Sequence, residues 1–173
     1  NRGHFEAVLE EEARRGGRNR QPLSLLLIDI DHFKQINDRH GHQAGDRVLQ
    51  SMGNILRSMA GEQDLACRLG GDEFCLMLRR GNREIVQHAA EFILSAVHGL
   101  LERSHGTPHV SLVSIGASLL DADAGWSEWY ASADRALYRA KRDGGNCLRW
   151  VDDPDGQYGD AGDEWRQRNV SPA

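Results

Sequence analysis

"RLGGDEFCLML", residues 68–78, places two glycines and two carboxylates between apolar residues. Glycine tolerates positive φ and lets another molecule approach the backbone, so Gly70 and Gly71 read as a hairpin turn. Phe74, Cys75, Leu76, Met77 and Leu78 resume the strand at once, and Asp72 and Glu73 stand at the tip of the turn. Glycine and aspartate are ordinary turn residues, so a solvated turn would explain the stretch by itself. The pair acquires chemical meaning only where further carboxylates converge on it.

Such carboxylates lie upstream. "LSLLLIDI", residues 23–30, is nearly continuous apolar sequence after Pro22, as expected of a central strand buried on both faces. On an extended strand Asp29 and Asp31 share a face, while Ile30 points into the core and leaves its carbonyl available. If this strand lies beside the hairpin, Asp29 meets Asp72. Carboxylates and a backbone carbonyl are hard oxygen ligands suited to Mg²⁺, which keeps some waters and shares substrate phosphates. Two such metals stabilise the attacking and leaving oxygens of an in-line phosphoryl or nucleotidyl transfer. Asp31 by itself reads more simply as the cap of the short helix that follows.

Working outward, residues 4–16 place Phe5, Val8, Leu9 and Ala13 at helical spacing, with a stop at Gly16 and Gly17. A helical turn starts near His32 and ends around "RHGH". A longer helix from about Ala44 to Met59 turns Val48, Leu49, Met52, Ile55, Leu56 and Met59 inward. Residues 82–103 form a long one-faced helix, 109–120 a strand, and 127–145 a last helix stopped by Gly144 and Gly145; "NCLRWV" closes the sheet. This mixed order favours an α+β fold with a largely antiparallel sheet and helices on its faces. Residues 152–173 are rich in Asp and Gly and read as a flexible tail behind one domain, residues 1–151. The chain opens in a helical pattern without Met, so it is expected to be excised from a longer sensor protein.

At 173 residues, 39% hydrophobic and 27% charged, the composition is that of one globular domain. A net charge of −5 argues against a nucleic-acid surface, so any anionic ligand must be held by a few local cations. The three cysteines, Cys67, Cys75 and Cys147, have no metal-ligand spacing and suggest core packing in a reducing compartment. No apolar run approaches the ~18 residues of a membrane span, and no signal-peptide pattern opens the chain. The domain itself is expected in the cytoplasm without membrane contact, with a membrane tether in the full-length protein left open. His40 and His42 form an incomplete zinc set and read as turn residues. Trp126, Trp129 and Tyr130 read as core and rim.

Through "PLSLLLIDIDHFKQINDRHGHQAGD", "CRLGGDEF", "VSIGAS" and "ADRALYRAKRDGGN", in that order, residues 1 to about 150 resemble the GGDEF domain, the catalytic domain of diguanylate cyclases. The resemblance implies a cyclase-like α+β fold with a mostly antiparallel five-stranded sheet flanked by helices. It implies that a homodimer condenses two GTP into cyclic di-GMP and two pyrophosphates with Mg²⁺ or Mn²⁺. Carried over, it makes Asp29, the Ile30 carbonyl and Asp72 metal ligands, and Glu73 a ligand of a second metal. It also makes Asp72, with Glu73, the catalytic carboxylates near the attacking 3′-hydroxyl. Asn37 and Asp46 fall on guanine-reading positions, where a carboxylate can accept from both N1–H and the 2-amino group. Helix capping is the alternative for Asp46, and the guanine reading carries more weight because Asn37 joins it. Lys34 and Lys141 match lysines that contact the triphosphate.

There are two departures from the family pattern. Gly145 stands where the family commonly has an arginine, with Arg139 and Arg142 the nearest substitutes. Gly61 stands at the arginine of the product-inhibition motif, of which Asp64 remains, so high-affinity inhibition there is expected to be lost. The alternative is a catalytically weak module that binds GTP or cyclic di-GMP and passes a signal. A cyclase making a cyclic mononucleotide is disfavoured by the guanine-reading pair and by the resemblance.

Overall fold

A strand that is apolar on both faces has to be covered on both, and β1 (Leu23–Ile30) is buried along its whole length. The computed structural model describes residues 2–19, 21–102, 112–121 and 123–154. Its elements follow as α1 (Arg2–Asn19), β1, α2 (Phe33–His40), α3 (His42–Met59), β2 (Leu65–Gly70), β3 (Glu73–Arg79), α4 (Arg83–Glu102), β4 (Val113–Leu119), α5 (Trp126–Arg142) and β5 (Leu148–Trp150). The strands make one five-stranded sheet in the order β2-β3-β1-β4-β5. β1 is antiparallel to both β3 and β4, β2 is antiparallel to β3, and only β5 runs parallel to its neighbour β4. The expected mostly antiparallel sheet is therefore present.

Alternation along β1 sorts two cores onto the two faces. Leu26, Ile28 and Ile30 join Phe74, Leu76 and Leu78 beneath Leu49, Met52 and Leu56 of α3 and Val86, Ala90 and Ile93 of α4. Leu25 and Leu27 join Cys75 and Met77 beneath Phe5 and Leu9 of α1 and Trp129, Ala133 and Leu137 of α5. α5 lies unusually close to β4: a Cβ added at Gly116 would come within 2.0 Å of the Leu137 nitrogen and 2.4 Å of the Ala133 oxygen. Trp129 fixes the helix further, its Nε1 donating to the Ser118 carbonyl (3.2 Å) while the Ser118 hydroxyl donates to the Trp129 carbonyl (2.9 Å).

Several boundaries differ from expectation: α5 ends at Arg142 rather than 145, and the closing strand is confined to Leu148–Trp150. α1 does not stop at Gly16 and Gly17 but continues to Asn19; glycine inside a helix costs only about 1 kcal/mol, a weak stop. α3 begins at His42 rather than Ala44, with Gly41 alone separating it from α2. Beyond Val151, Asp152 is gripped by both terminal nitrogens of Arg83 (3.0 and 2.7 Å), and the Asp153 carboxylate accepts from the Trp150 N–H (2.7 Å). The start expected for the strand at 109–111 and the rest of the tail from 155 lie outside the described residues. Among those described, no helix is long and apolar enough to cross a membrane.

Candidate active site

The C-terminal end of β1 and the tip of the β2–β3 hairpin are zipped together. The Ile30 N–H donates to the Asp72 carbonyl (3.3 Å), and the Asp31 N–H to the Leu112 carbonyl (2.8 Å). Sheet register sets Asp29 directly opposite Glu73 on one side and Ser114 on the other. Asp29 is buried at this junction, whereas Glu73 is exposed and Asp72 half-buried. Burial raises the Asp29 pKa above its usual value and the neighbouring Asp72 and Asp31 charges add to the rise, while the Lys141 ammonium, 2.8 Å from Oδ2, opposes it. Asp29 thus pairs with Lys141, and the strand adjacency on which its approach to Asp72 depended is present.

Asp31 does not cap α2. His32 takes the cap position with a left-handed backbone (φ 58°), and no side chain caps the helix. The Asp31 carboxylate instead accepts from the Ser114 hydroxyl (2.6 Å) and from the Asn146 N–H (3.0 Å), tying β1 to β4 and to the loop before β5. That loop passes so close that a Cβ at Gly145, whose φ is +74°, would lie 2.6 Å from Asp31 Oδ2. The missing arginine is therefore matched by a backbone conformation suited to glycine. Arg139 does not replace it: its guanidinium donates to the Val151 and Asp153 carbonyls. Arg142 has its Nε 3.6 Å from the Asp143 carboxylate.

Asn37 packs against a glycine of α3. A Cβ at Gly45 would sit 2.0 Å from Asn37 Oδ1, so the amide of α2 rests on bare backbone of α3 one residue before Asp46. Asp46 lies past the first turn of α3, which excludes the capping reading. It is exposed and lines a cavity of about 650 Å³ between α3 and β2, with Leu49, Gly53, Arg68 and Phe74. Lys34 stands exposed in the first turn of α2. Arg68, which the sequence reading passed over, lines the same cavity and donates from Nε to the Gly71 carbonyl (2.9 Å). Its only sequence signal is a cation two residues before the glycine pair, in an otherwise apolar strand.

Among the described residues no group of three or more His, Cys, Asp and Glu is placed so as to hold a metal ion. The donor types at the β1 end nevertheless suit a hard divalent cation: Asp29 is a carboxylate in register with Glu73, and the Ile30 N–H is bonded to the Asp72 carbonyl at the hairpin tip. An open set of this kind leaves coordination positions for water and phosphate oxygens.

A family model described as "Diguanylate cyclase, GGDEF domain" matches residues 1–147. The chain is 34% identical over 151 residues to diguanylate cyclase DgcS of Shewanella oneidensis, covering 86% of this chain and 49% of that protein. It is 39% identical over 134 residues to a diguanylate cyclase of Vibrio cholerae, covering 76% and 41% respectively. The chain thus spans less than half the length of either relative. The fold matches the crystal structure of the GGDEF domain of DgcB from Caulobacter crescentus in complex with c-di-GMP, with TM-score 0.81 and 29% identity over 88% of this chain and 89% of that one. It also matches the active GGEEF domain of a Vibrio cholerae diguanylate cyclase, with TM-score 0.79 and 33% identity over 89% and 98%.

Proposed function

This chain belongs to the GGDEF family of diguanylate cyclase domains, and from that premise we propose that it condenses two GTP into cyclic di-GMP and two pyrophosphates as a Mg²⁺- or Mn²⁺-dependent homodimer. The observation that carries this reading is the junction of β1 with the hairpin tip, where the Ile30 N–H donates to the Asp72 carbonyl and Asp29 pairs with Lys141. A divalent cation held there by Asp29, Ile30 and Asp72 would polarise the reacting phosphate, with Glu73 serving a second ion. Asp72 is the carboxylate near the attacking 3′-hydroxyl. Asn37 and Asp46 hold the guanine edge, and Lys34 and Lys141 supply charge to the triphosphate.

Each domain holds one GTP, so the 3′-hydroxyl of each attacks the α-phosphate of the other and a two-fold encounter supplies the geometry. Product and substrate share guanine edges, so cyclic di-GMP competes for the same pocket. The surface at Gly61 is not a strong product site in this reading: it lacks a guanidinium, and Asp64 already accepts from the Gly61 N–H (2.9 Å) and the Arg79 N–H (2.8 Å). GTP as substrate also implies work in the cytoplasm.

The test is a fusion to a constitutive dimer, given GTP and Mg²⁺, with the product identified by mass. Asp72→Asn should abolish turnover and keep the fold, because the side chain lies at a turn tip outside the core. A second reading, a module that binds GTP or cyclic di-GMP without turnover, is favoured by Gly145, which removes a phosphate-binding cation. Nucleotide binding without product, in a fusion shown to be dimeric, would establish it instead.

A further inference from the structure

The structure points to a second chemical centre on the same hairpin, set back from its tip, where Cys75 shares the sheet face of Leu27 and Cys67 also borders the cavity lined by Asp46. Cys67 of β2 and Cys75 of β3 are directly paired across the antiparallel ladder, and their sulfurs stand 3.2 Å apart. We propose that Cys67 and Cys75 form a reversible cross-strand disulfide when the protein meets a low-molecular-weight disulfide, and that this is a thiol–disulfide modification site.

Directly opposed residues of an antiparallel pair have Cα atoms about 4.5–5.5 Å apart, inside the ~4.4–6.8 Å span that disulfides adopt. The strands are thus already at bonding distance, and the sulfurs need to close by only about 1 Å through side-chain rotation. The environment assigns the two thiols different parts. β2 is the edge of the sheet and Cys67 is half-buried there, whereas Cys75 is fully buried behind it among Leu27, Met77 and Phe5. An oxidant therefore meets Cys67 first. The hydrogen bond between the sulfurs lowers the Cys67 pKa and raises that of Cys75, which keeps the shared proton on the inner sulfur.

The step balances as two exchanges. The Cys67 thiolate attacks one sulfur of the small disulfide, forming a mixed disulfide and expelling one thiolate. The Cys75 sulfur then attacks Cys67 Sγ, expelling the second thiolate. The two protons leaving the protein end on the two released thiols; the cysteines are oxidised and the small disulfide is reduced. The bond closes a ring over residues 67–75, within which lie Arg68, Gly71, Asp72 and Glu73. Cys147 takes no part: it lies between α5 and β5, its Sγ 3.7 Å from the Ala140 carbonyl.

The test exposes the reduced, folded chain to oxidised glutathione, quenches with an alkylating agent, and maps peptides by mass. The expected result is a loss of two hydrogens, a linked Cys67–Cys75 peptide, alkylation of Cys147 alone out of three free cysteines, and reversal by dithiothreitol. Cys147→Ala should leave the linkage intact, and Cys67→Ala should abolish it. The peptide map of the unsubstituted protein decides the matter even if a variant misfolds. A stable glutathione adduct on Cys67, a bridge involving Cys147, or three thiols still alkylated after exposure would each overturn the proposal.

Discussion

Replacing Gly116 by alanine drives one methyl group into a helix backbone. The new Cβ would meet the Leu137 nitrogen at 2.0 Å, the Ala133 oxygen at 2.4 Å and the Leu137 Cα at 2.5 Å. Carbon contacts are comfortable near ~3.5 Å, so α5 has to recede from β4 by about 1.5 Å. No flexible side chain is available to yield, since all three contacts are main chain. Overpacking costs about 1–3 kcal/mol, and the rigidity of these contacts puts Gly116→Ala at or above the upper end, about 3 kcal/mol. At about 2–4 °C per kcal/mol for a chain of this size, the melting temperature should fall by about 6–12 °C. The same retreat pulls Lys141 away from Asp29, which it now meets at 2.8 Å, so the turnover proposed for a dimerised fusion should fall even well below the melting point. Calorimetry and urea titration give the first quantity and a pyrophosphate-release assay the second. Gly53→Ala is the control for the stability measurement, because a Cβ there meets nothing within 4 Å and alanine is the better helix former. A Gly116→Ala protein that melts within 1–2 °C of wild type, below even the lower overpacking estimate, would refute the account of how α5 is seated.

Gly45→Ala should displace the Asn37 amide, which leaves no room for a methyl group there. If Asn37 reads guanine, the lost contact weakens GTP by about 1–3 kcal/mol, seen as a raised KM with far less change in kcat; an unchanged KM removes Asn37 from the pocket. Asp143 is held below the usual aspartate value of 3.8 first by its hydrogen bond from the buried Arg149 guanidinium (2.8 Å). A depressed folded pKa means that this contribution is complete above 3.8 and fades as pH falls through the folded value. Asp143→Asn should accordingly lower stability at pH 7 and flatten the acid limb of the stability curve; identical acid limbs in denaturant titrations would contradict the pairing.

Legibility in the sequence followed the range of the interaction. β1 was readable because eight buried residues in a row have few alternatives, and α5 because its apolar stripe repeats at helical spacing. The Asp29–Asp72 convergence was readable as a condition on strand adjacency, which the sheet order then met. The bonds of Asp31 were not, since its partners Ser114 and Asn146 lie 83 and 115 residues away and nothing local announces them. A cap was the best local guess for an aspartate before a helix, and it lost to two distant donors. The parallel pairing of β5 was equally hidden, because apolar pattern says which face is buried and not which neighbour is chosen. Arg68 was passed over because a lone cation on an edge strand ordinarily means solvent, and only the cavity beside it gives it a place in the site.

The central position of β1 also sets a timetable for biosynthesis. Its last residue is Ile30, yet its partners begin at Glu73 for β3 and Val113 for β4. At roughly 5–20 residues per second, a ribosome finishing β1 needs roughly 4–17 s more to reach β4. Through that interval "LSLLLIDI" has left the peptidyl-transferase centre without one of its two ladders, an apolar strand with an open edge. The nascent chain is thus most exposed to misassociation before Val113 has been made, and factors that bind extended apolar segments would act on it in that window.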